Sequence, residues 1–218
     1  MNNISPKYSL NFKKLATFIR LMEFDPFKYQ ISQLNELSPK KGRVLISEPF
    51  MLDEYFKRSV VFLTEHNEEG SVGFVLNKLL DVQLDELIND FPNFDTEVHM
   101  GGPVQSSNLY YLHNKGNLID DSIKVMDGVY WNGSFEKLKE GIKDEKIKEE
   151  DVIFFLGYSG WEHEQLENEI KENSWLVKEI KAELLFERSE EDLWKRILKS
   201  SESRIARLAD YPEDPNLN

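Results

Sequence analysis

The sequence predicts an α+β fold. A chain of 218 residues with 40% apolar and 12% aromatic content is long enough for one cored domain with appendages. Val- and Phe-rich runs of strand length fall in clusters along it. The amphipathic segments between them do not alternate strictly with these runs, as a doubly wound parallel sheet would require.

Taken in order, Leu15, Phe18, Ile19 and Met22 repeat at helical spacing and predict an amphipathic helix over 9–24, ended by Asp25-Pro26. A second short helix follows, with Phe27, Ile31 and Leu34 on one stripe. Ser38-Pro39-Lys40-Lys41-Gly42 reads as a linker, so residues 1–41 form a helical extension and 42–218 the main domain. Residues 43–47 predict a strand and 53–56 a helical turn. Residues 59–65 and 71–77 predict a hairpin closed by the loop His66–Gly70. Leu84, Leu87, Ile88 and Phe91 have helical spacing up to Pro92.

Strands are expected near 97–100, 108–113, 122–126 and 129–132. Ser134 can cap a helix that faces Phe135, Leu138 and Ile142 inward. The run 136–151 carries seven acids and five lysines and reads as a solvated face. A buried strand is predicted at 152–157, turning at Ser159-Gly160 into a helix over 162–172. A last strand is predicted at 175–180. Ser189-Glu190-Glu191-Asp192 resembles a capping box for a helix burying Leu193, Trp194, Ile197 and Leu198.

Charge and composition exclude several function classes. No cysteine is present, which removes disulfides, thiolate metal sites and cysteine nucleophiles and suits a reducing, cytoplasmic setting. No apolar run reaches the ~18 residues of a membrane span, and the N-terminus lacks a signal-peptide pattern. Net charge is -13, which argues against direct nucleic-acid or anionic-lipid binding. The charge is uneven. Residues 1–41 hold seven Lys/Arg and three acids, leaving 20 basic against 37 acidic residues elsewhere. Such a basic arm is expected to dock on its own body or on a neighbour's, which allows a homo-oligomer built through residues 1–41.

No catalytic residue is assigned. Gly157-Tyr158-Ser159-Gly160-Trp161 approaches a nucleophile elbow, but Trp161 replaces the closing glycine and the only later histidine, His163, stands one helical turn on. An anion site at the N-terminus of the following helix would meet Glu162 and Glu164. The histidines His66, His99, His113 and His163 have no metal-ligand spacing, so no metal and no cofactor is assigned. Gly101-Gly102-Pro103 is neither a P-loop nor a dinucleotide fingerprint. Gln165 and Glu169, four residues apart, share one helix side, where they can orient a loop or contact a ligand.

Several separated motifs occur in an order that resembles the AlgH/YqgE family of bacterial proteins. They include Val44-Leu45-Ile46-Ser47-x-Pro49-x-Met51-x-Asp53, Phe56-x-Arg58-Ser59-Val60-Val61, Glu65-His66, and Gly70-x-Val72-Gly73-Phe74-Val75-Leu76-Asn77. Gly101-Gly102-Pro103-Val104, Leu112-His113, Phe155-Leu156-Gly157-Tyr158-Ser159-Gly160-Trp161, Gln165-Leu166, Glu169-Ile170, Asn173-x-Trp175 and the closing Asp214-Pro215-Asn216-Leu217-Asn218 continue the pattern. The resemblance covers about residues 42–218. It implies a bifurcated, mostly antiparallel sheet curled into a pseudo-barrel with surrounding helices. It brings a transcriptional-regulator label but no activity, cofactor or catalytic residue.

Polar residues at the expected turns form the candidate ligand site: Asn77, Gly101, Gly102, Ser159, Gly160, Trp161, Gln165 and Glu169. Converging turns would line one pocket with backbone donors and an aromatic wall. The expected function is binding or regulation through a protein partner or small ligand. The alternative is a hydrolase-like enzyme that uses the Gly157–Trp161 turn.

Overall fold

A computed structural model describes residues 31–187 and 192–212. The helix expected at 9–24, the Ser189 end of the capping box and the Asp214–Asn218 motif lie outside the described residues.

A 3-10 turn, Ile31–Leu34, leads into β1 (Arg43–Ser47), β2 (Val60–Asn67), β3 (Gly70–Val75) and β4 (Leu79–Gln83). A one-turn helix α1 (Leu84–Leu87) precedes β5 (Glu97–Met100), β6 (Val104–His113), β7 (Ile123–Met126) and β8 (Val129–Trp131). Next come α2 (Phe135–Lys143), β9 (Val152–Glu162), α3 (Gln165–Lys171) and β10 (Trp175–Glu179). The described chain ends in α4 (Ala182–Phe186), α5 (Leu193–Lys199) and α6 (Ser203–Ala206), followed by a 3-10 turn.

The ten strands of the described residues form one sheet in the order β10-β1-β2-β3-β9-β6-β8-β7, with β5 against β9 and β4 against β5. Every pairing is antiparallel except β5 with β9. The sheet is not closed. It forks on β9, whose residues 154–156 pair with β5 while residues 159–162 pair with β3. Gly157, at φ +68°, stands between the two halves, in a left-handed conformation suited to glycine.

Alternation along the strands sorts side chains into separate cores. Val44 and Ile46 of β1, Val60 and Phe62 of β2, and Phe74 of β3 face the largest core, which is closed by Trp194, Ile197 and Leu198 of α5. The intervening Leu45, Val61, Leu63 and Val75 face a second core with Trp161, Trp175 and Leu166. Past the fork, Phe154 joins a third core with Val98, Tyr111, Leu138 and Ile142. Being apolar on both faces, β1 and β2 read as continuous hydrophobic runs.

Several elements differ from the sequence reading. The apolar spacing around Leu84 yields a single helical turn, because Ile88 is extended and Asp90 adopts φ +58°. Just before it lies β4, an edge strand whose mixed residues carry little β signal. The expected turn at Ser159-Gly160 is strand: β9 runs through to Glu162, and α3 begins only at Gln165 after Glu164 at φ +58°. The hairpin loop at 66–70 tightens to two residues, since Asn67 pairs with Gly70. The Ser134 cap is present, with its hydroxyl accepting the Lys137 N–H, and Asp192 caps α5.

The segment at 31–35 seals one sheet edge. The Asn35 side chain accepts the Val177 N–H at 2.6 Å and donates to the Trp175 carbonyl at 2.9 Å, standing in for a neighbouring strand beside β10. No described helix is long and apolar enough to cross a membrane.

Candidate functional site

The fork is stitched at Gly101. Its carbonyl accepts the Val75 N–H at 3.0 Å and the Ser159 hydroxyl at 3.0 Å, and its own N–H donates to Leu156 at 2.8 Å. A Cβ on Gly101 would collide with the Gly157 carbonyl oxygen, and one on Gly102 with the Tyr158 carbonyl. Ser159 is fully buried, and its proton is engaged by Gly101. Gly160 sits in the strand ladder opposite Val72. These glycines permit backbone-to-backbone contact at the branch point. Among the described residues no helix starts beside them to gather an anion, because α3 begins five residues after Gly160.

Trp161, Gln165 and Glu169 form a separate cluster. One oxygen of Glu169 accepts the indole N–H of Trp161 at 2.9 Å and that of Trp175 at 2.8 Å. The other accepts the Gln165 amide at 2.9 Å, and the Gln165 oxygen takes the Glu162 N–H. The two indoles meet edge to face at 5.9 Å, with Phe56 stacked on Trp161.

Histidines join two further clusters. His66 Nδ1 lies 2.8 Å from the Ser71 hydroxyl, and its Nε2 faces Glu167 Oε1 at 3.6 Å. The order hydroxyl–imidazole–carboxylate resembles a catalytic relay. However, Ser71 is only 4% exposed and lies in β3, a strand paired on both edges, so its neighbouring amides serve the ladders rather than an oxyanion. His113 is fully buried. Its Nδ1 accepts the Lys115 N–H at 3.2 Å, and its Nε2 reaches the Asn132 carbonyl at 2.9 Å. That pattern assigns a neutral ring protonated at Nε2. Burial pushes its pKa below the ordinary value, partly opposed by the Asn132 contact. Burial also pushes the Tyr111 hydroxyl up to about 12. Among the described residues no group of three or more His, Asp or Glu side chains could hold a metal.

Asn77 belongs to a third place. Its oxygen accepts the Val60 N–H and its amide donates to the Arg58 carbonyl, each at 2.8 Å. It thereby fixes Arg58, whose backbone adopts φ +50°. The Arg58 guanidinium lies 4.9 Å over the Trp194 ring and donates to the Tyr211 carbonyl. Arg58 and Asn77 both line a cleft of about 430 Å³. Its apolar floor includes Leu76, Ile153, Leu184 and Leu193. Arg58, Lys78 and Arg196 supply positive charge, against Glu97, Glu149, Glu150, Glu187 and Asp192. Arg196 pairs with Glu187 at 3.4 Å, while its Nε is buried with no hydrogen-bond partner among the described residues.

The eight candidate residues therefore fall in three places, and Asn77 alone of them lines the cleft. The sequence reading missed Arg58 and Arg196 as site residues. Arg58 had a signal, its place in the Phe56-x-Arg58-Ser59-Val60-Val61 motif just ahead of β2. Arg196 had none, because it looks like any charge on an amphipathic helix.

A family model described as AlgH-like matches residues 44–206. A UPF0301 protein of Chlorobaculum tepidum is 40% identical over 179 residues, covering 82% of this chain and 96% of its own length. One from Parabacteroides distasonis is 41% identical over 186 residues, 84% of this chain and 94% of its own. Among solved structures, the AlgH protein of Pseudomonas aeruginosa aligns with TM-score 0.64 and 27% identity over 82% of this chain and 98% of its own. A Corynebacterium diphtheriae protein aligns with TM-score 0.72 over 85% of this chain and all of its own, but at 21% identity it bears on the fold alone. With the forked sheet and the glycine junction that these motifs build, the chain belongs to the AlgH-like (UPF0301) family, whose function is uncharacterised.

Proposed function

We propose that this chain is a non-catalytic binding protein of the cytoplasm, whose working surface is the cleft between β3–β4, β5, the start of β9 and helices α4 and α5. The observation that carries this reading is the Asn77-clamped Arg58 on its wall. The two Asn77 hydrogen bonds hold this left-handed turn, so the guanidinium stands on the cleft wall from a fixed base. The apolar floor with charged walls suits a protein segment or a polar small molecule. Regulation, if the chain acts in it, runs through such a partner, because a net charge of -13 repels nucleic acid.

The test is site-specific photo-crosslinking in cells. A photoreactive residue at Glu97 or Leu184, on the cleft, is expected to capture a discrete partner. One at Lys143, on the exposed side of α2, is expected to capture none. Equal capture at both places, or none at either, would remove the cleft from consideration.

The hydroxyl–imidazole–carboxylate order at Ser71, His66 and Glu167 supplies a second reading, hydrolytic chemistry, which the burial of Ser71 disfavours. Ester turnover by the wild-type chain that disappears in a folded Ser71→Ala variant would establish it.

A further inference from the structure

The strand β4 is paired on one side only among the described residues, with β5. The Met100 N–H donates to the Lys78 carbonyl at 2.7 Å, which makes Lys78 and Met100 an inward-bonding pair. Leu79, one residue on and opposite His99, then turns its own N–H and C=O away from β5. Its side chain is 55% exposed. Lys78 and Leu79 also form the lip of the cleft, so this edge and the cleft are one continuous surface.

The surroundings set the chemistry of what can bind. Residues 78–97 contain six acids (Asp81, Asp85, Glu86, Asp90, Asp95 and Glu97) and one base, Lys78. The cleft walls are acidic on balance as well. An exposed strand edge offers a row of backbone donors and acceptors that an extended chain can complete, with side chains deciding specificity. Like charges disfavour the β4 edge of a second copy, since pairing would bring two acidic 78–97 stretches together. The register shift between Leu80 and Gln83 keeps the receptive stretch short.

We infer that the outer edge of β4 takes an extended, lysine- or arginine-bearing segment of a partner protein as an added strand. This rests on the binding reading of the cleft and names its occupant.

The experiment uses the full chain and two synthetic peptides, one alternating lysine with valine and one alternating glutamate with valine. Binding is followed by fluorescence anisotropy and by amide exchange at Leu79. The basic peptide is expected to bind, to weaken with added salt, and to protect the Leu79 amide. Leu79→Pro removes the outward donor while leaving the β5 ladder intact, and is expected to weaken binding about tenfold or more. Asp81→Lys should act in the same direction without a backbone change, which guards against misfolding of the proline variant. Equal binding of the acidic peptide, or basic-peptide binding indifferent to both variants, would overturn the inference. The cleft reading would survive that result if crosslinks at Glu97 and Leu184 persisted. Self-association that Leu79→Pro abolishes would hand the edge to a second copy and overturn the assignment to a partner.

Discussion

Glu169 holds two indole N–H groups on one carboxylate oxygen, and both rings belong to the core behind β1–β3. Removing the carboxylate strands two buried donors, each costing about 1–3 kcal/mol. Glu169→Ala is therefore expected to lose roughly 2–4 kcal/mol in urea denaturation. Glu169→Gln keeps a carbonyl acceptor and should lose much less. His113 makes a pH-dependent contribution. Its pKa lies below the ordinary 6.5 in the folded chain, so between the depressed value and 6.5 the unfolded chain binds more protons. Stability should rise with pH across that window, be complete above 6.5, and fall on acidification. His113→Gln should flatten that slope, which denaturation midpoints at several pH values can check. Gln165 and Glu169 were legible as a pair from their spacing. The indole partners of Glu169 were not, because Trp161 and Trp175 stand on β9 and β10, which are not neighbours in the sheet and meet only in the core.

Among elements, β9 shows best what a one-dimensional reading misses. Gly157, Ser159 and Gly160 look like turn punctuation, yet all three lie inside a strand. Glycine marks a turn when the chain itself bends, and it equally marks a place where another backbone comes close. The second case needs the partner, Gly101, which is 56 residues away in sequence. Gly101→Ala would force a methyl group into the Gly157 carbonyl, and a shift there disturbs the ladders to β3, β5 and β6 together. We expect a loss of about 3 kcal/mol or more, or insoluble protein, measured by thermal denaturation against wild type. In contrast, β1, β2, α2 and α5 were legible, because continuous apolar runs and capped amphipathic stripes carry their own signal.

For the whole molecule, the α+β class followed from the clustered strand runs, and the forked sheet from the family resemblance rather than from periodicity. The cleft was not legible, since its walls come from six separate stretches of chain. Net charge also acts at this scale. The ion pairs Lys124–Asp127, Lys137–Glu140 and Lys146–Asp144 are exposed, and pairs of this kind contribute little. Repulsion at -13 is long-ranged and unfavourable to a compact state. Raising ionic strength at neutral pH is therefore expected to increase the urea midpoint modestly. A falling midpoint would mean that attractive pairs dominate.

The branch on β9 also has a bearing on synthesis. A nascent chain can close the β2–β3 hairpin early, but the far side of β3 waits until residue 162 has left the ribosome. For the length of that wait a half-finished barrier of valine and phenylalanine stands bare. The interval between hairpin closure and arrival of the branching strand is where this chain would most need a chaperone.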